Sequence, residues 1–434
     1  MTAPWNRFAP LWLGSRGYSV TSLGAMRGIS TLTKVFVQPI WAACGDTYGE
    51  RATLLVSILF SSFALFLVRY VVLSGDGDGG EEMHAVYAVS LARMFRSSAS
   101  AVSPVNDALV LAVLNGASAY GGSRMFGSLA WGASSLAAGV LIDWYGFGAL
   151  FTFIYATSLL YACCLLTIPS MRRHKSPTAT ASSTMKDGFK LLWSNRSLQA
   201  VLAIEFIFSF AMATADVIVP FQFEQQFQTT RATNGIAAMI SIVCGIPFFS
   251  FFGPISKALT SNRRGSTVTS GVTDFAPILQ YSALIGALRF ALSSQASTPF
   301  MLLATQALHG PTFAINWCAS VAAVDGIARG YSDKSGLALD GDMNDSQEVR
   351  GTLLSMLTLA YYSLGNGLGG FVMSNLYDNH GPGSCHIASC GIMLLLAYGS
   401  TSHFLKRQLM TSPKRFGDYV SSLIVAEQGT QGAV

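Results

Sequence analysis

Apolar runs of about 20 residues recur along almost the whole chain, and this recurrence restricts the possible folds more than any other feature. A helix of that length spans the hydrocarbon core of a bilayer. Of the 434 residues, 51% are hydrophobic and only 11% are charged, whereas soluble domains carry roughly 25% charged residues. A soluble protein of this length would lack the charges to cover its surface. The composition therefore predicts an all-α, multi-pass integral membrane protein.

The apolar runs predict about eleven complete spans, in two groups separated by a polar stretch. This stretch, 169–197, is basic, rich in Ser and Thr, and has no apolar face long enough to span. We expect it to link an N-terminal bundle, 1–168, to a C-terminal bundle of six helices, 198–410, which a tail follows at 411–434. The predicted spans lie near 22–43, 52–73, 84–105, 125–143, 147–168, 198–220, 234–257, 276–297, 299–323, 351–373 and 387–405.

Basic residues predict the orientation of these spans. Arg172, Arg173 and Lys175 lie in the linker, and the tail is also basic. If the spans alternate, both segments lie on one side, while loops on the other side, such as "SGDGDGGEEMH", are acidic or neutral. The positive-inside rule then places the linker and the tail in the cytoplasm.

The two groups of spans carry signs of an internal repeat. "DWYG" at 143–146 and "DNHG" at 378–381 each close a glycine-rich span. Two parallel bundles of six helices would form the major facilitator architecture. We expect the first bundle to be incomplete, because "MTAPWNRFAPLWLGSRGYS" has only a short apolar run and lacks the regions of a signal peptide. We therefore expect a truncated first helix, with further apolar residues encoded upstream.

Several stretches resemble one branch of the major facilitator transporters. "PIWAACGDTYGERA" resembles the loop after their second helix, with Asp46, Gly49 and Arg51 matching, although Ala42 and Glu50 depart from the pattern. "VNDALVLAVL", "YGGSRMFGSLAWG", "LHGPTFAINWCA" and "RGTLLSMLTLAYYSLGNGLGG" resemble the fourth, fifth, tenth and eleventh helices of that branch. The branch includes major facilitator superfamily domain-containing protein six and is related to lactose permease and nucleoside–proton symporters. That family begins with a full first helix, of which "FAPLWLG" resembles only the outer end.

The glycines of the last of these stretches favour helix packing. Gly365 and Gly369 are four residues apart in an apolar helix, and Gly132 lies on a comparable ridge. Small residues at this spacing let helix backbones approach closely in lipid. A dinucleotide-binding loop would instead need a preceding strand and an acidic residue about 20 residues further on. The sequence favours packing over nucleotide binding.

Charged side chains inside the spans are the candidates for solute binding and proton coupling, because such charges are costly in lipid and usually face a cavity or a partner. We expect a substrate site formed by Lys34, Arg93, His309 and Asn316, and proton coupling by Glu205, Asp216 and His309. The histidine is included because its unperturbed pKa lies near neutrality. Arg96 and Asp216 could instead lie at a water boundary, Arg289 could be a structural ion-pair partner, and His309 could only hydrogen-bond within the bundle.

Charged residues at the cytoplasmic helix ends form a second group. The family resemblance implies that they act as gate latches, which form ion pairs in one state and break them in another. The alternative is surface charge that only sets the orientation. The predicted cytoplasmic gate contains Asp46, Arg51, Asp107, Arg124 and Arg350.

The resemblance implies secondary transport of a small polar or anionic solute by alternating access, with protons as the candidate coupling ion. The alternative is a membrane receptor or scaffold that keeps the fold without transporting. No enzyme constellation or metal-ligand spacing stands out, so we expect neither catalysis nor a metal or other cofactor. The expected partners are the solute, protons and the lipid bilayer, with no nucleic acid, and we expect a monomer.

Overall fold

The computed structural model describes residues 2–74, 82–103, 105–106, 109–110, 120–168, 190–252, 275–334 and 352–429. Helices fill these ranges, and no strand occurs in them. Helical structure is required in lipid, because each backbone polar group must find its partner within the segment. The helices are α1 Thr2–Gly14, α2 Val20–Tyr48, α3 Glu50–Ser74, α4 Glu82–Ser100, α5 Tyr120–Tyr145, α6 Gly148–Thr167, α7 Arg196–Ala213, α8 Arg231–Ser250, α9 Ala276–Ser294, α10 Pro299–Lys334 and α11 Asn366–Gly429.

Several helix boundaries have a local cause. The hydroxyl oxygen of Ser19 accepts a hydrogen bond from the backbone N–H of Ser22 and caps α2, and the amide oxygen of Asn195 caps α7 in the same way. Glycines with positive φ follow α2 at Gly49 and α5 at Gly146, and Gly381 interrupts α11. A side chain at these three positions would strain the backbone.

Among the described residues of the second half, three segments are π-helical. Thr214–Ile218 and Gln222–Gln226 continue α7, with one α-helical turn between them. Leu359–Gly365 leads directly into α11. Such segments are rare, and they often mark functional sites.

Six helical segments in the described ranges are long and apolar enough to cross a membrane: Glu50–Ser74, Met125–Tyr145, Gly148–Thr167, Arg196–Gln226, Arg231–Ser250 and Thr352–Gly399. Large apolar side chains such as Leu59, Phe36 and Phe300 are exposed on the outside, as expected for a surface that faces lipid. The other predicted spans coincide with more polar helices, such as α2, which contains Arg27 and Lys34. The expected total of about eleven spans stays a prediction.

The helices form a first half, α1–α6, and a second half, α7–α11. The most extensive packing between the halves is that of α2 with α11 and of α5 with α8. Glycines allow both contacts. A Cβ atom at Gly235 on α8 would lie 2.6 Å from the Cα atom of Leu136 on α5. A Cβ atom at Gly24 on α2 would lie 2.5 Å from the Cβ atom of Ser374 on α11.

The apolar cores differ between the two ends of the molecule. At the end that contains Asp143, here called the Asp143 end, one core combines both halves, with Leu65 and Phe151 from the first and Phe221 and Met373 from the second. At the opposite end, here called the Arg51 end, each core formed by the described residues stays within one half. One in the first half contains Leu54, Ile58 and Leu165, and one in the second half contains Leu198, Val324 and Leu357.

Glycine at the α5–α8 contact gives a stability prediction. Gly235→Ala should lower the free energy of unfolding by about 1–3 kcal/mol, because the new methyl group must push two backbones apart. Thermal unfolding of the purified protein measures the change. The matched control is Gly391→Ala, since a Cβ atom there has no neighbour within 4 Å. We expect the control to change stability by no more than about 0.5 kcal/mol. Equal effects of the two substitutions would contradict the packing role.

Candidate functional site

A hydrogen-bonded network crosses between the halves near the middle of the molecule. The Arg27 Nη2 atom on α2 donates to the Asn366 Oδ1 atom at 2.6 Å. The Asn366 Nδ2 atom donates to the Asp216 Oδ2 atom at 2.7 Å, and Arg27 Nη2 lies 3.8 Å from the same oxygen. We call these three residues the interhalf network. It joins a cation of the first half to a carboxylate of the second through an amide.

The π-helical segments position two members of this network. Asp216 lies within Thr214–Ile218, and Asn366 is the first residue after Leu359–Gly365. The two segments come from neighbouring helices, and the hydroxyl groups of Thr214 and Ser389 are joined at 2.7 Å beside the first of them. A π-turn shifts the side chains that follow it around the helix, so both polar groups can reach the seam between the halves.

Glu205 on α7 forms a second polar cluster within the second half. Its side chain is fully buried. The Oε1 atom accepts from the Asn316 Nδ2 atom at 2.5 Å and from the Ser320 hydroxyl, both on α10. The Oε2 atom has no hydrogen-bond partner in the structure. A fully buried carboxyl group with one free oxygen can hold a proton or accept a bond from a solute.

Arg289 on α9 lies in a third cluster, with Gln306 and His309 on α10. Its guanidinium group is fully buried, donates to the Gln306 Oε1 atom at 3.1 Å and lies 4.9 Å from the centroid of the Phe290 ring. Arg289 interacts electrostatically with Asp216 and with His309. The buried Nδ1 atom of His309 has no hydrogen-bond partner. The electrostatic interaction between Arg289 and Asp216 therefore links this cluster to the interhalf network.

Aromatic rings lie beside these polar groups. Phe313 and Trp317 stack on α10 with centroids 6.0 Å apart, and Trp317 lies 5.6 Å from Tyr361. Tyr362 lies 4.7 Å from Tyr361. Asn316, which binds Glu205, is the residue between Ile315 and Trp317, so rings and amide occupy one stretch of α10. Rings and polar groups in such proximity suit a small solute with both apolar and polar faces.

The predicted substrate and proton-coupling residues do not all come together. Glu205 and Asn316 contact each other directly. Lys34 and Arg93 lie in the first half, and no hydrogen bond or ion pair between described residues joins them to His309 or Asn316. Their electrostatic neighbours are Arg27 and, for Lys34, also Arg96. Arg96 donates to the Ser61 hydroxyl on α3. The assigned roles of these residues stay predictions.

Most of the predicted cytoplasmic gate lies outside the described part of the structure. This holds for residues Asp107 and Arg350, and for the side chains of Asp46 on α2 and Arg124 on α5. Arg51 is described, and it donates to the carbonyl oxygens of Ile168 at 2.9 Å and Leu166 at 3.1 Å. A cation at the end of α6 suits the negative end of the helix dipole. The gate itself stays a prediction.

Several residues of the site were missed by the sequence reasoning. Arg27 lies within a predicted span, so its charge alone could have identified it. Arg7 lies in the segment that was expected not to span, yet it is buried, donates to the Asn234 carbonyl oxygen on α8 at 3.3 Å and interacts electrostatically with Asp216. Asn366 and Gln306 are neutral, so no charge signal marks them. Their position relative to Arg27 and Arg289 depends on tertiary packing.

The predicted packing glycines all lie at close helix contacts. A Cβ atom at Gly132 would lie 3.1 Å from the sulfur of Met239 on α8, and one at Gly365 would lie 2.5 Å from the Phe206 carbonyl oxygen on α7. Gly369 lies against the backbone of Phe210. Within the described ranges, no group of three or more His, Cys, Asp or Glu side chains is arranged to hold a metal ion, and none of the seven cysteines, which all lie in these ranges, forms a disulfide.

The sequence of this apolar helical chain matches the model of a known protein family. The family model described as "MFS_1 like family" matches residues 6–388. The chain belongs to this family. It is therefore an integral, multi-pass membrane protein.

Two curated relatives match part of the chain. It is 23% identical over 235 residues to an uncharacterized transporter, YwbF, of Bacillus subtilis strain 168, a match that covers 54% of this chain and 55% of the relative. It is 26% identical over 190 residues to the maltose permease of Geobacillus stearothermophilus, with 44% of each chain covered. The chain thus spans about half the length of the curated relatives that it matches.

Solved structures match almost the whole chain. The nucleoside transporter NupG matches with a TM-score of 0.68 and 15% identity, covering 92% of this chain and 95% of that one. A partially occluded, inward-open structure of the xylose transporter XylE from E. coli matches with a TM-score of 0.55 and 12% identity, covering 91% and 88%. At these identities the likeness shows the fold alone, which is the major facilitator fold expected from the sequence.

The interhalf network gives a prediction about stability. Asn366→Ala should lower the free energy of unfolding by about 1–3 kcal/mol, because Arg27 and Asp216 each lose a partner at a partly buried site. Thermal unfolding in detergent measures the effect. Asn379→Ala is the matched control on the same helix, since Asn379 is exposed and bonds only within α11, to Asn375. If the control lowers stability as much as Asn366→Ala, the bridging role of Asn366 is wrong.

Proposed function

We propose that this protein is a secondary active transporter that moves a small polar or anionic solute by alternating access and couples the movement to protons. The observation that carries the proposal is the set of buried ionisable groups around the seam between the halves, above all Glu205 with its free Oε2 atom. A charge at the centre of a membrane costs at least about 2.5 kcal/mol on insertion scales. Several such groups at one seam favour a solute and proton pathway over an apolar scaffold.

The distribution of contacts supports alternating access. The halves share a core at the Asp143 end, whereas the described residues at the Arg51 end pack into separate cores. The basic linker and tail assign the Arg51 end to the cytoplasm by the positive-inside rule. On this assignment, the structure corresponds to an inward-facing state, and transport requires the opposite state, in which the Asp143 end separates.

The groups proposed for proton coupling have different surroundings. Glu205 faces Asn316 and Ser320 and interacts electrostatically with Tyr361. Asp216 faces Arg27 and interacts electrostatically with Arg7 and Arg289. Glu205 keeps one carboxyl oxygen without a hydrogen-bond partner, whereas an Asp216 oxygen is engaged by both Asn366 and Arg27. We therefore assign the coupling proton to Glu205 first, ahead of Asp216 and His309.

The range of solutes and the branch within the superfamily are also proposals. The relatives and structural neighbours are described as transporting maltose, nucleosides, xylose and, for the human protein MFSD10, organic anions. All of these are small polar molecules, which agrees with the aromatic and polar lining around Asn316. The motifs quoted above favour the branch of major facilitator superfamily domain-containing protein six.

Proton coupling predicts a separation of two activities in liposomes. Glu205→Gln should lose proton-driven accumulation by at least about tenfold while keeping counterflow exchange, because exchange needs no net proton movement. Uptake of labelled solutes from a panel of sugars, nucleosides and organic anions measures both. His309→Ala tests the second candidate in the same assay.

Glu224→Gln is the control, since Glu224 forms an ion pair with Arg231 within the second half, near the Asp143 end. It should keep both activities. If Glu205→Gln and His309→Ala both accumulate solute like the parent, the proton assignment is wrong. If the parent transports no solute in either assay, the receptor or scaffold alternative is favoured.

A further inference from the structure

Three basic side chains of the first half form a cluster near the seam, here called the basic cradle: Lys34 on α2, and Arg93 and Arg96 on α4. Arg93 is 7% exposed and Arg96 is 3% exposed. The positive charge of Lys34 is repelled by those of Arg96 and Arg27, and the charge of Arg93 is also repelled by that of Arg27. The indole N–H of Trp41 donates to the Ser98 carbonyl oxygen at 2.7 Å and holds α2 against α4.

The cradle carries positive charge that the described part of the chain does not neutralise. No ion pair between described residues joins Lys34, Arg93 or Arg96 to a carboxylate. The buried Nη1 atom of Arg93 and the Nε atom of Arg96 have no hydrogen-bond partner. The two acids assigned above to proton coupling are already engaged, Asp216 by Asn366 and Glu205 by Asn316. Buried cations without an anion are unfavourable, so the cluster lacks a negative group.

The position of the cradle fits a solute pathway. Lys34 follows Arg27 by seven residues and Thr31 by three, so the three side chains share one face of α2. Thr31 lies against Gly367 of α11, and Arg27 bonds to Asn366 of α11. That face of α2 therefore faces the second half. Lys34 lies one to two turns further along it, towards the separated Arg51 end.

We propose that the basic cradle binds the carboxylate, phosphate or sulfonate group of the transported solute, so that the substrate class is a small organic anion. This inference rests on the proposed transport function. Arginine presents paired N–H donors that match two oxygens of such a group. The aromatic residues and Asn316 of the second half would then contact the uncharged part of the solute, and the anion would connect the two halves.

The test compares matched pairs of probes that differ in charge: glucuronate with glucose, uridine monophosphate with uridine, and benzoate with benzyl alcohol. Thermal shift and calorimetric titration are made on the full chain in a neutral detergent. We expect at least one anion to bind about tenfold or more tightly than its neutral partner, and Arg93→Gln to remove that advantage. Arg93→Lys should restore part of it. Arg69→Gln is the control and should change nothing, since it removes a cation of the first half that lies over the Phe151 ring on α6.

The remaining outcomes of this experiment contradict the proposal that the cradle binds the solute. It is overturned if no anion in the panel binds better than its neutral partner, or if Arg93→Gln leaves anion affinity unchanged. If the protein transports a neutral solute and ignores the anions, the inference fails while the transport function stands. A parallel titration with phosphatidylglycerol in phosphatidylcholine micelles separates the two sources of a phosphate. Binding of the lipid alone, abolished by Arg93→Gln, would make the cradle a lipid site and overturn the substrate assignment.

At the Asp143 end, an aspartate of each half caps a helix of the other half. The carboxylate of Asp143, on α5, accepts from the backbone N–H groups of Arg231 at 2.9 Å and Ala232 at 2.7 Å, at the start of α8. The carboxylate of Asp378, on α11, accepts from the N–H of Thr21 at 2.7 Å, at the start of α2. Both aspartates lie three residues before a glycine with positive φ, Gly146 or Gly381.

The two contacts correspond to each other under the internal repeat. Asp143 and Asp378 open the repeated "DWYG" and "DNHG" sequences, and each crosses from its own half to the other. A carboxylate at a helix N-terminus satisfies free N–H groups and complements the positive end of the helix dipole. Separation of the halves at this end would break both contacts at once.

We infer that these reciprocal caps form the latch that holds the Asp143 end closed. Removing them should shift the protein towards the state that is open at this end. Spin labels at Tyr145 and Gln226 report the distance between the halves at the Asp143 end, and labels at Thr167 and Trp193 report it at the Arg51 end. All four side chains are exposed. The labels are placed in a background without the seven native cysteines.

In Asp143→Ala with Asp378→Ala, the first distance should lengthen and the second should shorten. Asp143→Asn should shift the distances less than Asp143→Ala, because an amide keeps one acceptor oxygen. Asp143→Asn also replaces the alanine variant in this test if the alanine variant does not fold. Glu224→Gln should leave the distances unchanged, since Glu224 pairs with Arg231 of its own half. A folded double variant with the parent's distances at both ends would overturn the latch.

Discussion

Close approach between helices of opposite halves is the constraint on which this structure depends. In lipid, apolar burial gives no driving force for helix association, so packing and hydrogen bonds must supply it. The α5–α8 and α2–α11 contacts meet this requirement with glycines such as Gly235 and Gly24, where a side chain would collide with the facing helix. The same approach lets Asp143 and Asp378 reach the partner helices. Packing and polar contacts between the halves are therefore coupled.

The polar clusters depend on that packing. Arg27 reaches Asn366 and Asp216 only because α2 and α11 are in contact, and Asp216 is turned towards them by its π-helical segment. Glu205 is held by two partners from α10, within one half. The two clusters would therefore respond differently to the proposed movement of the halves. That movement would change the interhalf network, whereas the Glu205 cluster would move as a unit with its own half.

The sequence predicted the helical membrane fold well, because lipid imposes a simple rule on length and apolarity that each span obeys locally. It also singled out Glu205 and Asp216 as candidates for proton coupling, since a charge inside an apolar run is conspicuous; that role stays a prediction. It did not predict their partners. Asn366 and Gln306 carry no charge, and their pairing with Arg27 and Arg289 joins residues far apart in the chain. The repeated "DWYG" and "DNHG" were recognised as repeats, but the helices that their aspartates cap follow only from the tertiary structure.

The symmetry of the contacts differs from the symmetry of the charges. The caps at Asp143 and Asp378 repeat in the two halves, so that one separation of the halves would break both of them. The central residues do not repeat, since the basic cradle belongs to the first half and the carboxyl groups Glu205 and Asp216 belong to the second. A solute has no two-fold symmetry, so the residues that would contact it need none. Substitutions in the centre could thus change the solute without changing how the halves move, which explains how one fold serves transporters of sugars, nucleosides and organic anions.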